Sequence, residues 1–314
     1  MIYKKRKEPA TLQALRKLLR RLPETHEKYG YVSEDFRRRA AGFSGESYFD
    51  KHINEFRPSY PYVILHDVCL KQNGIYFQMD SLLITPTGIF IFEVKNLAGK
   101  IIVKSDPTQF IQENLNERKV LQNPILELER KEIFLKQWLL ERGIDLPIIG
   151  IVVLAYTNEI IMNEQPAKQV VSTQDVPILL YSQRLEQEII TSQQIREIAS
   201  VMIVEHQEYV PEPLLQMFGI PLIDILPGVI CPNCFHFGMK RLLRRWSCSN
   251  CGCTSTDAHL ELIEDWLVLV ERKLTNQQFR EFACIQDIHV AKRLLQNSGL
   301  TMYGVSKDAY YYRN

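Results

Sequence analysis

The sequence predicts an α/β protein that ends in a small metal-bound module and a helical unit. Three observations carry this: a hydrophobic pattern ordered helix, several strands, helix, strand over the first half; a hairpin signal at Asn73-Gly74; and two Cys-x-x-Cys pairs in the last third. The 314 residues are 46% hydrophobic, enough for two or three domains to fold without disulfides. The longest apolar runs, such as residues 148–155, are far too short to span a bilayer. The opening MIYKKRKEPA has no apolar centre, so no secretory signal is expected, and paired cysteines suited to metal ligation fit a reducing compartment. A cytoplasmic protein without a membrane partner follows from these points.

Residues 1–41 read as a basic helical extension in which Leu12, Leu15, Leu18 and Leu19 recur at helical spacing. Lys4, Lys5, Arg6, Lys7, Arg16, Lys17, Arg20 and Arg21 crowd this stretch, followed by Arg37, Arg38 and Arg39. They form either a solvated helix face or a phosphate-holding patch, even though the net charge of the chain is only +1. Ser44 then reads as the N-cap of a helix with Phe49, Ile53 and Phe56 on its apolar side. Strands are predicted over 62–70, 75–85, 89–95 and 100–104, with turns at Asn73-Gly74 and Pro86-Thr87-Gly88. Asn123-Pro124 supplies a cap and an N1 proline to an amphipathic helix ending near Gly143. The β-branched run 148–155 suits a strand buried on both faces. Residues 159–227 form a helical connector, with a helix over 182–205 and a proline-containing stretch over 211–227.

Strand alternation places Tyr76, Gln78, Asp80 and Leu82 on one face, and in the next strand Glu93 and Lys95 share a face. If these strands are neighbours, Gln78, Asp80, Glu93 and Lys95 converge. Two carboxylates beside an ammonium are costly inside an apolar sheet. Mg²⁺ or Mn²⁺ held by Asp80 and Glu93 removes that cost, because such ions take carboxylate, water and phosphate oxygens. The ion would bind a scissile phosphate and lower the pKa of a coordinated water. Lys95 would orient the water or offset charge on the phosphorane, and Glu46 could reach in as a further ligand or base. Glu-x-Lys also occurs at Glu117, Glu129 and Glu271, in stretches that read as polar or helical, where residues two apart diverge. Only the Glu93 copy ends an apolar strand; a salt bridge at a strand end is the alternative reading.

Gly45-Glu46, Gln78-Met79-Asp80, Thr87-Gly88-Ile89-Phe90, Glu93-Val94-Lys95-Asn96 with Gly99, and Asn123-Pro124 together give residues 42–158 a clear likeness. This segment resembles the NERD (nuclease-related) domain of bacterial proteins. The resemblance implies a PD-(D/E)xK restriction-endonuclease-like core with Asp80, Glu93 and Lys95 handling metal and phosphate. It also implies Glu46 as the acidic residue of the first helix and Gln78 as a neighbour of the site. Glu127 departs from the pattern, since many relatives carry glutamine three residues beyond the Asn-Pro. The implied activity is metal-dependent hydrolysis of phosphodiester bonds, foremost in DNA. The alternative is a catalytically silent nucleic-acid-binding or protein-docking protein that keeps the fold.

Cys231-Pro232-Asn233-Cys234 and Cys248-Ser249-Asn250-Cys251, thirteen residues apart, fit a structural Zn²⁺ site in a zinc ribbon over 228–262. Cys253, His236 and His259 are bystanders or substitute ligands. Lys240, Arg241, Arg244 and Arg245 with Trp246 suit either nucleic-acid contact or cover of a small core. Residues 270–314 read as a helix–turn–helix-like unit capped by Thr275 and Asp287, with 303–312 as a wing in a winged-helix reading and a plain helical hairpin as the other. Its second helix would expose His289, Lys292, Arg293 and Gln296. Nucleic acid is the expected partner; a homodimer, or a protein partner docking on the C-terminal third, stays open.

Overall fold

The computed structural model describes residues 1–105, 108–115, 117–162, 169–183, 188–305 and 308–313. In chain order the first elements are β1 (Ile2–Lys4), α1 (Ala10–Arg21), α2 (Tyr29–Ile53), β2 (Val63–Gln72), β3 (Ile75–Thr85) and β4 (Gly88–Lys95). Next come β5 (Lys100–Ser105), β6 (Thr108–Asn114), β7 (Glu117–Leu121), α3 (Pro124–Leu140), β8 (Ile148–Leu154), β9 (Glu159–Met162) and β10 (Gln169–Ser172). Helices α4 (Val176–Ser182), α5 (Ser192–Val204) and α6 (Leu214–Phe218) lead to β11 (Lys240–Arg241), β12 (Trp246–Ser247) and β13 (Thr254–Ser255). The chain ends with α7 (His259–Leu269), β14 (Lys273–Thr275), α8 (Asn276–Ala283), α9 (Ile288–Gln296), β15 (Thr301–Tyr303) and β16 (Tyr310–Tyr312).

Two compact units divide the chain: Met1–Glu8 with Ala40–Glu208, and Pro9–Arg39 with Tyr209–Asn314. The first unit holds a six-stranded mixed sheet in the order β1-β2-β3-β4-β8-β10 and a smaller sheet, β7-β6-β5-β9. Strand alternation gives the larger sheet two apolar faces. Leu82, Ile84, Ile89 and Ile91 point toward α3 and α5, where Leu128, Trp138 and Ile198 cover them. Leu83, Phe90, Phe92 and Val94 point the other way, onto Phe49 and Ile53 of α2 and Val176 and Leu180 of α4.

Two glycines let helices approach the larger sheet. A Cβ on Gly45 would lie 2.7 Å from Asn96 Cβ and 3.0 Å from Ala155 Cβ, so α2 can settle against the ends of β4 and β8. A Cβ on Gly150 would meet the Leu128 side chain at 2.6 Å, which lets α3 lie down on β8. Both contacts bring a helix face to the carboxyl end of β4.

Several sequence expectations change. Ser44 is not an N-cap: it lies inside α2, which begins at Tyr29. The small residues Gly42 and Ser44 are tolerated mid-helix because the flanking turns are anchored, Val32 in the core of the second unit and Phe49 and Ile53 in that of the first. Residues 1–41 are not a separate extension, since β1 pairs in parallel with β2 (Ile2 opposite Ile64) and α1 buries Leu12, Leu15 and Leu18 in the second unit. The 159–227 connector holds strands β9 and β10 as well as helices, and the helix expected over 182–205 starts at Ser192, behind a capping box between Thr191 and Gln194. Residues 184–187 of that expected helix lie outside the described residues. Strands β6 and β7 had no alternation to reveal them; Glu117 to Val120 are exposed without interruption. On β7, Glu117 and Lys119 share a face and pair at 2.8 Å, so this Glu-x-Lys copy is a strand ion pair, not a divergent one.

The second unit is built on one core that joins Leu15 and Leu18 of α1 to Trp246, Trp266 and Phe279. At its centre the Arg21 guanidinium, fully buried, donates from Nε to Asp265 Oδ2 at 2.7 Å and from Nη1 to the Leu226 carbonyl at 2.8 Å. Lys17 Nζ holds the other Asp265 oxygen at 2.6 Å, and Arg20 pairs with Glu261. Arg37, Arg38 and Arg39 pair with Glu34 and Asp35 on their own helix. Much of the N-terminal basic run is thus paired with carboxylates of the protein itself. Strands β11-β12-β13 form one small sheet and β14-β16-β15 another, with α8 and α9 capped by Thr275 and Asp287.

Candidate functional site

Asp80 escapes the sheet ladder on both sides. Strand β2 pairs with β3 through His66–Ser81 and Val68–Met79, so Asp67 and Asp80 face one another unladdered, and Asp67 takes a left-handed φ of 56°. The β3–β4 ladder stops at Ser81–Phe92, one residue short of the Asp80–Glu93 pair. The freed Asp80 carboxylate accepts instead from the Val94 backbone N–H, at 2.8 Å on Oδ2. Glu93 stands opposite it, with only 4% of its side chain exposed, and Lys95 follows on the same face of β4.

Helix α3 closes this group. Its residues Glu127 and Lys131 are one turn apart and both reach β4: Lys95 Nζ donates to Glu93 Oε1 at 2.8 Å and to Glu127 Oε2 at 2.7 Å, and Lys131 Nζ donates to Glu93 Oε2. Burial and the neighbouring Glu93 raise the Asp80 carboxyl to about 6, against the pull of Lys131 and the Val94 N–H. Burial acts on Glu93 too, but Lys131 and Lys95 outweigh it and hold that carboxyl below its ordinary value.

Arg6, just beyond β1, gathers a second set of acids. Its guanidinium, 4% exposed, donates to Asp50 Oδ2 at 2.9 Å, Glu46 Oε2 at 2.6 Å and the Asp80 carbonyl at 2.7 Å. His66 Nδ1 lies 3.0 Å from Asp50 Oδ1 and 2.8 Å from Ser81 Oγ. Burial and Asp80 push the Glu46 carboxyl up to about 8, because the opposing Arg6 charge is shared with Asp50.

Of the residues singled out from sequence, Asp80, Glu93 and Lys95 lie together, and Glu46 joins them through Arg6. Gln78 is exposed and donates to Asp67 Oδ1 at 2.6 Å, beside the unladdered Asp67–Asp80 position. His66 serves as a buried hydrogen-bonding residue. Sequence reasoning missed Lys131, Asp50 and Arg6. Lys131 had a signal, its four-residue spacing from Glu127 on a capped helix; Arg6 had none, since 74 residues separate it from Asp80.

The donors fit Mg²⁺ or Mn²⁺: both ions prefer carboxylate oxygens, and a carboxyl raised by a like charge beside it is relieved by a cation. Among the described residues the one group of three or more converging His, Cys, Asp or Glu ligands is Cys231, Cys234, Cys248 and Cys251. Asp80 and Glu93 would therefore leave most coordination positions to water and phosphate. The cysteine group is compatible with zinc. Its Sγ atoms lie within 4.8 Å of one another, with Cys231–Cys251 at 3.7 Å and Cys234–Cys248 at 3.5 Å. A tetrahedron with Zn–S bonds of about 2.3 Å has edges of about 3.8 Å. The two knuckles also brace one another: Asn233 donates to Cys251 Sγ and Asn250 to Cys234 Sγ. His259 stands apart as acceptor for Trp246 Nε1, and burial and Arg241 lower it to about 4.

No helix among the described residues is long and apolar enough to cross a membrane. Residues 41–155 match the nuclease-related domain family. The chain is similar to an uncharacterized protein of Bacillus anthracis, 29% identical over 110 residues, which cover 35% of this chain and 50% of that protein. The chain thus spans about half the length of that curated relative. No solved structure matches significantly. The paired acids Asp80 and Glu93, Lys95 and the start of α3 all lie inside the segment that matches the nuclease-related domain family.

Proposed function

We propose that this protein is a metal-dependent nuclease, hydrolysing phosphodiester bonds foremost in DNA, on a PD-(D/E)xK-type core. The observation that carries the reading is the placement of Asp80 and Glu93 opposite one another with Lys95 next on the same face, inside the segment that matches a nuclease-related family. A protein that only bound nucleic acid would gain nothing from clustered carboxylates that repel phosphate.

Asp80 and Glu93 would hold Mg²⁺ or Mn²⁺, which when bound supplies Lewis-acid stabilisation of the phosphate and a water of lowered pKa. Glu127 holds Lys95 by its Nζ at 2.7 Å, fixing the ammonium where it can orient the attacking water or meet charge growing on the phosphorus oxygens. Glu46, raised to about 8, is suited to exchange a proton near neutral pH, with Arg6 holding it in place. In the second unit, Cys231, Cys234, Cys248 and Cys251 would bind one Zn²⁺ whose contribution is folding free energy.

The test is cleavage of labelled single- and double-stranded DNA with Mg²⁺ or Mn²⁺ by wild type and Asp80→Ala. Metal-dependent cleavage lost in the variant is the expected result. Cleavage that survives in the variant would overturn the site, and salt-sensitive binding by both without cleavage would replace the enzyme with a binding protein.

A further inference from the structure

Both oxygens of Glu93 carry an ammonium. Lys95 donates to Oε1 and Lys131 to Oε2, while Asp80 Oδ2 is taken by the Val94 N–H. One lysine in a paired-acid site has the phosphate role described above; the second has none there. The two are also held differently. Lys95 is fixed by two carboxylates, Glu93 and Glu127, and stands on a strand. Lys131 hydrogen-bonds Glu93, reaches the pair from α3 on a flexible four-carbon stem, and is held by the charges of both Asp80 and Glu93. Its side chain is 19% exposed.

We propose that Lys131 is a built-in counter-cation of the Asp80–Glu93 pair: it occupies the divalent ion's place until that ion displaces it, and then turns to the substrate phosphate. This rests on the reading of Asp80 and Glu93 as metal ligands. The exchange is one of charge alone. Glu93 would give its oxygen to a bound divalent ion, Lys131 would leave with its proton, and no covalent bond would change. The device keeps the two facing carboxylates from standing uncompensated before metal arrives. It then delivers a positive group beside the metal at the moment a phosphate enters. It also makes metal affinity weaker than the two acids alone would give, because a charge-assisted hydrogen bond must be broken first.

The experiment is Mn²⁺ binding to the full chain, followed by calorimetry and by the paramagnetic resonance of free Mn²⁺, for wild type, Lys131→Met, Lys131→Arg and Asp80→Ala. Lys131→Met is expected to bind Mn²⁺ roughly 10- to 100-fold more tightly, the factor that a hydrogen bond to a charged group represents. Lys131→Arg stays near wild type. At saturating Mn²⁺ the methionine variant cleaves more slowly, so affinity and turnover move in opposite directions, which a loosened fold would not produce. Lys131→Gln, neutral but still a donor to Glu93, gives the same direction and serves if the methionine variant does not fold. Equal or weaker Mn²⁺ binding by the neutral variants, with wild-type binding intact, overturns the counter-cation and leaves the metal site standing. Absence of Mn²⁺ binding in wild type and neutral variants alike overturns both.

Discussion

Replacing Asp80 by asparagine should stabilise the protein and silence it. Burial and the facing Glu93 raise this carboxyl from 3.8 to about 6, so folding favours its protonated form. The sign follows from linkage: the advantage is complete below pH 3.8 and is lost as pH rises through 6. At about 1.36 kcal/mol per pH unit, ionised Asp80 costs the fold at most about 3 kcal/mol by pH 8. The residue is half-buried, which screens part of this, so a net gain of about 1–2 kcal/mol is expected for Asp80→Asn at pH 8, and less at pH 5. Asparagine keeps an oxygen to accept from the Val94 N–H, so the local backbone bond survives. Urea unfolding read by hydrogen exchange over 75–95, in buffer free of added divalent ions, isolates the first unit from the second. Adding Mn²⁺ should reverse the order, stabilising wild type and leaving the variant unmoved. A variant less stable than wild type at pH 8, or a gain that does not change with pH, would refute the electrostatic account of the pair.

Three further outcomes are expected. Asp265→Ala leaves the buried Arg21 and its neighbour Lys17 without their carboxylate and should cost about 3–5 kcal/mol, measured as a lowered thermal transition of the second unit. Metal analysis of the purified chain should find one zinc per chain, lost in Cys248→Ser together with cooperative melting of the same unit. Arg244 and Arg245 are exposed on the β11–β12 hairpin, so replacing both with alanine should flatten the plot of log affinity against log salt for duplex DNA by about 2, if each meets one phosphate; an unchanged slope would remove that hairpin from the nucleic-acid surface.

Much of the first unit was legible because its signals are local. Strands β3, β4 and β8 alternate or run apolar for seven residues or more, and α3 announces itself with the Asn123 cap and Pro124. Asp80, Glu93 and Lys95 could be placed together because one hairpin carries all three. The rest depended on contacts distant in sequence. Nothing near Arg6 tells that it will meet Asp50 and Glu46, and nothing in residues 28–44 tells that a helix begins before Gly42 and Ser44. The bond from Gln78 to Asp67 was not legible, because alternation assumes an unbroken strand pair and Asp67 takes a left-handed φ beside the site. Short edge strands such as β9 and β10, four residues each, are too brief for any period to show.

The family likeness begins at residue 41, yet Arg6 and β1 belong to the same compact unit. What is recognisable by descent and what can fold are therefore two different lengths of chain. A gene fragment cut at the recognisable boundaries would strip β2 of its parallel neighbour, remove β10 from the far side of β8, and leave Glu46 and Asp50 facing one another without their shared guanidinium. Because α1 and α2 lie between β1 and β2 in the chain, β1 can pair only once the strand at 63–72 is present. The acidic end of this sheet is completed only when Arg6, from 40 or more residues away in the chain, returns to Glu46 and Asp50.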